Sequence, residues 1–334
     1  MLSSLSMALI GVVYGACPFA DIGTPPTHAA EIITDAAFKT ALQRLDIDAL
    51  AKDITDLMTD SQSCWPADGG HYGGLMIRLA WHCSGTYRTA DDKGGCAGGR
   101  IRFPPESAWE DNANLAHARA LLVPIKQKYG DGLSWGDLMT FAGTVAIRSM
   151  GGPTNPHCFG RVDDADGSKS NVFGTTEKWQ DTGCEVQGNC QSPIGAVKVG
   201  LIYVNPEGPL KDPTNMSSGQ DPDPAKSAVE IREVFGRMGM NDSETASLIA
   251  GGHAFGKCHG ANVMTSGFEG PWTTTPYRWS REFITGMLDE EWEQVQNPSE
   301  TAVQWQTKDR SSNLAGTMRL TSDLALVNDD AYMA

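Results

Sequence analysis

Apolar residues recur at helical spacing along most of this chain, and that periodicity limits the fold more than any other feature of the sequence. Within residues 37–58, for example, Leu50, Ile54 and Leu57 are spaced so that they lie on one face of a helix. The same pattern predicts helices at residues 37–58, 72–82, 114–129, 134–150, 225–237, 245–250 and 279–295. The sequence therefore predicts a mainly α fold.

Residues 153–224 interrupt the helical pattern. They are rich in Gly, Pro, Asp, Asn and Ser, and they contain only two short apolar stretches. A segment of this length is too long for a plain connector, so we expect an ordered functional loop region. The prediction is one domain over residues 36–334, with a first helical half at 36–152, this insertion, and a second helical half at 225–334.

The N-terminus resembles a secretory leader. Leu5 to Val13 is a short and mostly apolar run, too short to span a bilayer, and Gly15 and Ala16 supply the small residues typical of a cleavage site. The basic residues that usually precede such a run are missing, and a packed or frayed N-terminal segment is the alternative. We expect a signal peptide at 1–16, a lead-in at 17–35, and secretion.

The net charge of −15 excludes some classes of partner. A surface this acidic repels the phosphate backbone of nucleic acids and anionic membranes. Small neutral or cationic substrates meet no such penalty. We therefore expect no nucleic-acid partner and no membrane partner, and the sequence leaves the oligomeric state open.

The eight cysteines are arranged without any C-x-x-C pair, which argues against a zinc ribbon. An even number of cysteines behind a signal-like leader favours disulfide bonds. Cys184 and Cys190 are close enough in sequence to close one loop. The alternative is eight reduced thiols in an intracellular enzyme, and the sequence does not give the connectivity.

Arg78, Trp81 and His82 stand at positions i, i+3 and i+4 of one predicted helix, so they share a face. An imidazole on such a face can carry a proton from one peroxide oxygen to the other, and a guanidinium can stabilise the charge that develops. We call these three residues the distal triplet. Taken alone, they would also fit an ordinary buried helix face.

Two segments carry a resemblance to a known family. The run from Trp65 to His82, continued by Gly85-Thr86-Tyr87-Arg88 and by residues 107–112, closely resembles the distal segment of the catalase-peroxidases, bifunctional members of a haem peroxidase superfamily. Residues 250–260 resemble the proximal segment of that family. The similarity extends over roughly residues 36–334 and implies a haem-peroxidase fold, with haem b between two helical halves.

The resemblance implies roles around the distal triplet. The position of Asn112 corresponds to a residue that accepts a hydrogen bond from the distal imidazole and orients it. Asp111 corresponds to a residue lining the peroxide channel, and Ser266 to the edge of its entrance. An alternative for Asp111 and Asn112 is a helix N-cap before Ala113, and both roles are compatible.

The resemblance also implies a proximal set. His253 would be the axial ligand of the haem iron, and Asp323 would hold its other ring nitrogen. Trp272 would pack beside that pair. His259 is a tempting second ligand, but we interpret residues 256–260 as a tight loop in which His259 is structural.

One feature separates catalase-peroxidases from other haem peroxidases of the superfamily, namely a covalent adduct of a distal Trp, a Tyr and a Met. The corresponding residues here are Trp81, Tyr203 and Met238, with Met240 competing for the third position. The phenol and the indole can be oxidised by the haem, and the thioether can capture the product. The alternative is that Tyr203 and Met238 are core residues.

Two departures from the family pattern argue against strong catalase turnover. Catalase-peroxidases usually carry a second, haem-free copy of the domain, and they carry a mobile Arg that supports oxygen release; neither is matched here. The loop at 163–191 also diverges. The chain is similar to single-copy, signal-bearing relatives.

We therefore expect a haem b peroxidase that reduces hydrogen peroxide and oxidises small donors, with catalase activity through the adduct. The alternatives are a monofunctional secreted peroxidase without catalase activity and a haem-binding protein without turnover.

Overall fold

A computed structural model describes residues 35–109, 112–173, 204–212, 218–259 and 267–334. The predicted leader at 1–16 and nearly all of the lead-in lie outside these residues, as do Cys17, Cys184 and Cys190. The helices are α1 Asp35–Leu42, α2 Ile47–Thr59, α3 Gly73–Ser84, α4 Leu115–Tyr129, α5 Trp135–Ser149, α6 Pro224–Arg237, α7 Asp242–Gly252, α8 Glu282–Asp289, α9 Thr321–Asn328 and α10 Asp330–Met333. The mainly α prediction is confirmed.

Two short antiparallel hairpins accompany the helices. Strand β1, Lys257–His259, pairs with β2, Glu269–Pro271, and β3, Trp292–Gln296, pairs with β4, Val303–Thr307. The first hairpin follows α7, and the second lies between α8 and α9. Both therefore belong to the C-terminal part of the described chain.

The N-terminal helices share one large apolar core. The buried faces of α2, α3, α4 and α5 meet there, with Leu50, Met76, Leu122 and Leu138 fully buried. Because α2 to α5 each bury an apolar face in this core, their packing holds α3 in place. This core therefore fixes the helix that carries the distal triplet.

The C-terminal helices form smaller apolar clusters of their own. Ile231 and Val234 of α6 pack with Ala325 of α9, while Phe283 of α8 packs with Leu324 of α9. Helix α9 thus lies between α6 and α8 and belongs to both clusters. The helices thus form two groups, α2 to α5 and α6 to α9.

Two predicted helices are wrong in extent. Residues 37–58 form two helices, because the Asp46 side chain accepts a hydrogen bond from Ala49 N and begins a new helix there. Residues 279–295 contain only the eight-residue α8, after which the chain turns into β3. Apolar spacing alone did not reveal either interruption.

The described cysteines are of two kinds. Cys83 of α3 and Cys96 form a disulfide, and Cys64 is also disulfide-bonded, whereas Cys158 and Cys258 are free thiols. A disulfide framework that includes all eight cysteines is therefore excluded. None of the described helices is long and apolar enough to cross a membrane.

Candidate active site

Helix α3 presents the distal triplet to the interior of the molecule. His82 is fully buried, and the Arg78 guanidinium donates through Nη1 to Ala113 O at 2.9 Å. The Trp81 indole stacks on Phe235 of α6, with ring centroids 5.4 Å apart and an angle of 11° between the planes. The shared face that the spacing predicts is present, and its residues reach both groups of helices.

A chain of two hydrogen bonds fixes the His82 imidazole. The Asn112 amide nitrogen donates to Glu106 O at 2.6 Å, so its oxygen, Oδ1, is the atom that lies 2.7 Å from His82 Nδ1. An amide oxygen only accepts, so Nδ1 must carry the proton. The lone pair of His82 therefore lies on Nε2, the nitrogen needed for a proton acceptor.

The surroundings of His82 favour its neutral form. Burial and the positive charge of Arg78 hold the pKa of His82 well below its usual value, while the hydrogen bond to Asn112 opposes this shift. At neutral pH the imidazole is therefore uncharged and able to accept a proton. A general base near pH 7 requires this state.

Glu106 is a residue of the distal region that the sequence analysis missed. Its side chain is buried beside the equally buried Arg100, with Arg100 Nε 3.7 Å from Glu106 Oε1, and it accepts a hydrogen bond from Ser170 Oγ. Burial raises the pKa of Glu106 to about 7. A charged residue just before the motif at 107–112 was the available signal, but nothing in the sequence indicated its burial.

The proximal residues also converge. His253 lies at the C-terminal end of α7, and its Nδ1 is 2.7 Å from Asp323 Oδ1. The other carboxylate oxygen accepts from Trp272 Nε1 at 3.0 Å and from Leu320 N at 2.8 Å. Asp323 is nearly fully buried, so its orientation is fixed by three donors.

Aromatic rings enclose the His253 imidazole. Trp272 stacks on it with a centroid distance of 4.2 Å and an angle of 17°, and Phe283 meets it edge-on at 5.6 Å. Since Nδ1 is engaged by Asp323, Nε2 is the ring nitrogen that remains for another ligand.

One cavity of about 2720 Å³ connects the distal and proximal residues. Its lining includes Arg78 and Trp81 on one side and His253, Trp272 and Asp323 on the other. At one edge Gly74 of α3 meets Gly256, and a Cβ on Gly74 would approach Gly256 Cα to 2.8 Å. The two glycines therefore allow the distal helix and the segment after α7 to touch.

The proposed adduct residues are only partly described. Met238 follows α6 and packs, with Met240 and Trp81, against the cluster of Val204 and its neighbours. Both methionines line the cavity, so the competition between them stays open. Tyr203, Asp111 and Ser266 lie outside the described residues.

The prediction of a tight loop at residues 256–260 is wrong, because Lys257–His259 is a strand. His259 lies in β1 opposite Glu269, and its Nε2 is 2.7 Å from Asp68 Oδ2. Main-chain pairing with β2 extends the segment. His259 thereby links the first hairpin to the segment before α3, and this contact fits a structural residue.

A comparison with known families decides the classification. A family model described as Peroxidase matches residues 51–334. The chain belongs to the peroxidase family. The matched region includes α3 with the distal triplet and extends through His253 and Asp323.

Curated relatives of this peroxidase-family chain carry a more specific name. It is 42% identical to a catalase-peroxidase of Halobacterium salinarum over 345 residues, which cover 89% of the chain and 46% of the relative. It is 43% identical to catalase-peroxidase 2 of Shewanella sp. strain MR-4, covering 90% of the chain and 45% of the relative. For a catalase-peroxidase of Caulobacter vibrioides the identity is 44%, covering 88% and 45%. The chain thus spans about half the length of the curated relatives it matches.

Proposed function

We propose that this chain binds haem b in the cavity and uses it to reduce hydrogen peroxide while oxidising small donors. The observation that carries the proposal is a single cavity lined by Arg78 and Trp81, which share the helix face of His82, and by His253. His82 is held as a neutral base by Asn112, and His253 is backed by Asp323. A peroxidase requires one imidazole as a proton acceptor and another as an iron ligand, and His82 and His253 would fill these two roles.

The residues present fit a haem group. In the described part of the chain, no cluster of three or more His, Cys, Asp or Glu side chains could hold a metal ion by itself. A macrocycle that brings its own four nitrogen ligands needs only one from the protein, and His253 Nε2 would supply it. A Cβ on Gly252 would meet nothing within 4 Å, so the backbone before His253 leaves open space for a flat ring.

The proximal residues tune that ligand. Asp323 accepts from Nδ1 of His253, which fixes the tautomer and increases electron donation from Nε2. Trp272 anchors the same carboxylate and stacks on the imidazole. When bound, the haem iron supplies the electrons that cleave the O–O bond of peroxide.

The distal residues handle the protons. His82 Nε2 accepts a proton from one peroxide oxygen and returns it to the other, so that the second oxygen leaves as water. The Arg78 guanidinium, fixed by Ala113 O, stabilises negative charge on the departing oxygen. Burial of His82 excludes bulk water from this exchange.

Haem titration of His253→Gln against the wild-type chain tests the axial ligand. We expect the variant to bind haem weakly or to show an altered iron spectrum, because Asp323 then orients no imidazole. Wild-type spectra and affinity in the variant would remove His253 from the site. Oxidation of a phenolic donor by the wild-type holoprotein and peroxide tests turnover, and its absence would leave only a haem-binding protein.

We propose catalase activity as a second function, supported by Trp81 and Met238 packing in one cluster. An oxygen electrode would measure oxygen release from peroxide without a donor for wild type, Tyr203→Phe, Met238→Leu and Met240→Leu. We expect only the Tyr203 and Met238 variants to lose it. Absence of oxygen from the wild-type holoprotein would indicate a monofunctional peroxidase.

We also propose secretion. The Cys83–Cys96 disulfide supports it, because disulfides persist mainly in oxidising compartments. A reporter fused after residue 16 should be exported and should lose the leader. Retention of the uncut fusion inside the cell would refute the proposal.

A further inference from the structure

Arg319 is a charged side chain with no exposed surface, directly before the segment that carries Asp323. Its guanidinium donates to three backbone carbonyls, those of Trp272 and Met318 at 2.7 Å and that of Phe283 at 3.0 Å. Carbonyl dipoles satisfy the donors, but they do not cancel a full charge. Burial lowers the pKa of Arg319 to about 10, so the side chain is still protonated at neutral pH.

This cation lies beside the proximal aromatic residues. The guanidinium carbon is 4.7 Å from the centre of the Phe283 ring and 4.5 Å from that of Trp292. Phe283 in turn contacts His253, and Trp272, whose carbonyl Arg319 binds, stacks on the same imidazole. Arg319 is therefore one side chain away from the proposed iron ligand.

Three oxidisable indoles lie near Arg319: Trp272, whose carbonyl it binds, Trp292, which faces its guanidinium, and Trp305, which pairs with its main chain. Loss of one electron leaves a positive charge on an indole, and a fixed cation nearby raises the free energy of that state. Screening is weak because Arg319 is fully buried. The Asp323 carboxylate, bonded to Trp272 Nε1, acts in the opposite direction. Arg319 thus counters the charge that would otherwise favour oxidation of Trp272.

We propose that the buried charge of Arg319 protects Trp272 from oxidation, an inference that rests on the proposed function. The reaction that it suppresses moves one electron from the Trp272 indole to the haem after the haem has reacted with peroxide. The indole becomes a radical cation, or it becomes a neutral radical if its proton passes to Asp323.

The same charge bears on the class of donor. Trp292 is partly exposed and lies directly against Arg319, so an electron route from the surface through Trp292 is disfavoured for the same reason. Trp292 is therefore not expected to pass electrons from a bulky donor at the surface.

Freeze-quench electron paramagnetic resonance of the holoprotein mixed with hydrogen peroxide, without a donor, tests this inference. Arg319→Met removes the charge at similar volume, and Arg319→Lys is the matched control that keeps it. We expect a Trp272 radical at least about tenfold stronger in the Met variant than in the wild-type or Lys proteins, since a buried guanidinium bonded to the Trp272 carbonyl at 2.7 Å interacts with a unit charge on that residue by more than RT. Adding Trp272→Phe to the Met variant should abolish the signal.

Optical spectra of the same samples separate this inference from the proposed function. A haem that reacts with peroxide, together with equal Trp272 signals in all three proteins, would overturn the role of Arg319 alone. A wild-type haem that does not react would overturn both. If neither variant folds, mass spectrometry of peroxide-treated wild-type protein decides: oxidation concentrated at Trp272 contradicts the inference, and oxidation elsewhere with Trp272 intact supports it.

Discussion

The function of single residues here depends on which atom faces which neighbour. Glu106 O orients the Asn112 amide, and the amide then selects the tautomer of His82. The order of these contacts matters, because a reversed amide would place a donor against Nδ1 and move the lone pair away from Nε2.

Replacing Asn112 with Ala should slow the reaction of the haem with peroxide. The imidazole would lose its orientation and its fixed tautomer, and partners of this kind typically contribute about 10–100-fold to activity. Stopped-flow absorbance of the haem measures the rate. Asn112→Asp, which keeps an acceptor for Nδ1, should lose less, whereas an Ala variant with the wild-type rate would show that Asn112 does not orient His82.

Glu106 should make the stability of the protein depend on pH. Its pKa is raised from 4.5 to about 7 by burial, so the native state keeps a proton that the unfolded chain releases above pH 4.5. The free energy of unfolding should therefore fall as pH rises from 4.5 through 7, by about 3 kcal/mol in total.

Urea unfolding of the wild-type chain and of Glu106→Gln at pH 5 and pH 8 measures this term. Gln can still accept from Ser170, and Arg100 keeps its ion pair with Asp164 at 2.7 Å, so the variant should lose less stability between the two pH values. Identical pH dependence in both proteins would indicate that Glu106 is ionised in the native state at both pH values.

The sequence indicated most of the residues that meet in the site, but it did not indicate the buried charged residues that contact them. The i, i+3, i+4 spacing was enough to place Arg78, Trp81 and His82 on one face. Glu106 and Arg319 were not foreseen, because their roles come from burial beside segments distant in the chain. A charged residue reads as exposed until the tertiary structure encloses it.

At the scale of elements, helix α3 is fixed at both ends. Gly74 contacts Gly256 near its start, and Cys83 is bonded to Cys96 near its end, directly after His82. Both contacts cross to segments outside the helix. The position of the distal triplet therefore depends on these two contacts as well as on the apolar core.

Removing the disulfide with Cys83→Ala and Cys96→Ala should lower the free energy of unfolding by about 2–4 kcal/mol, because a closed loop restrains the unfolded chain. The bonded residues are 13 apart in sequence, and both are buried. Urea unfolding measures the change. Cys158→Ala, at an exposed free thiol, is the control and should have little effect; equal stability of all three proteins would contradict the expected contribution.

Helix positions were predictable where a long apolar stripe meets a core. Residues 72–82 and 134–150 match α3 and α5 closely. The division of residues 37–58 into two helices was not predictable from apolar spacing, because the Asp46 cap begins a second helix there. The prediction for residues 279–295 was wrong because β3 pairs with β4 in a hairpin, and strand pairing overrides the local apolar spacing there.

At the scale of the whole molecule, the two groups of helices place one histidine from each in a single region. His82 comes from the first group and His253 from the second, and the cavity extends from Arg78 and Trp81, the helix neighbours of His82, to His253. Neither group alone contains both histidines. The proposed function therefore requires a cofactor held by the second group and a proton acceptor supplied by the first.

The role of His82 as proton acceptor is tested most directly in a stopped-flow instrument, by the rate at which hydrogen peroxide changes the haem absorption of the wild-type and His82→Leu holoproteins. Haem should stay bound in the variant, because His253 and Asp323 are untouched. We expect a loss of about 10²–10⁴-fold in the second-order rate constant, the usual contribution of a general base. A variant that keeps its haem and reacts at the wild-type rate would contradict that role.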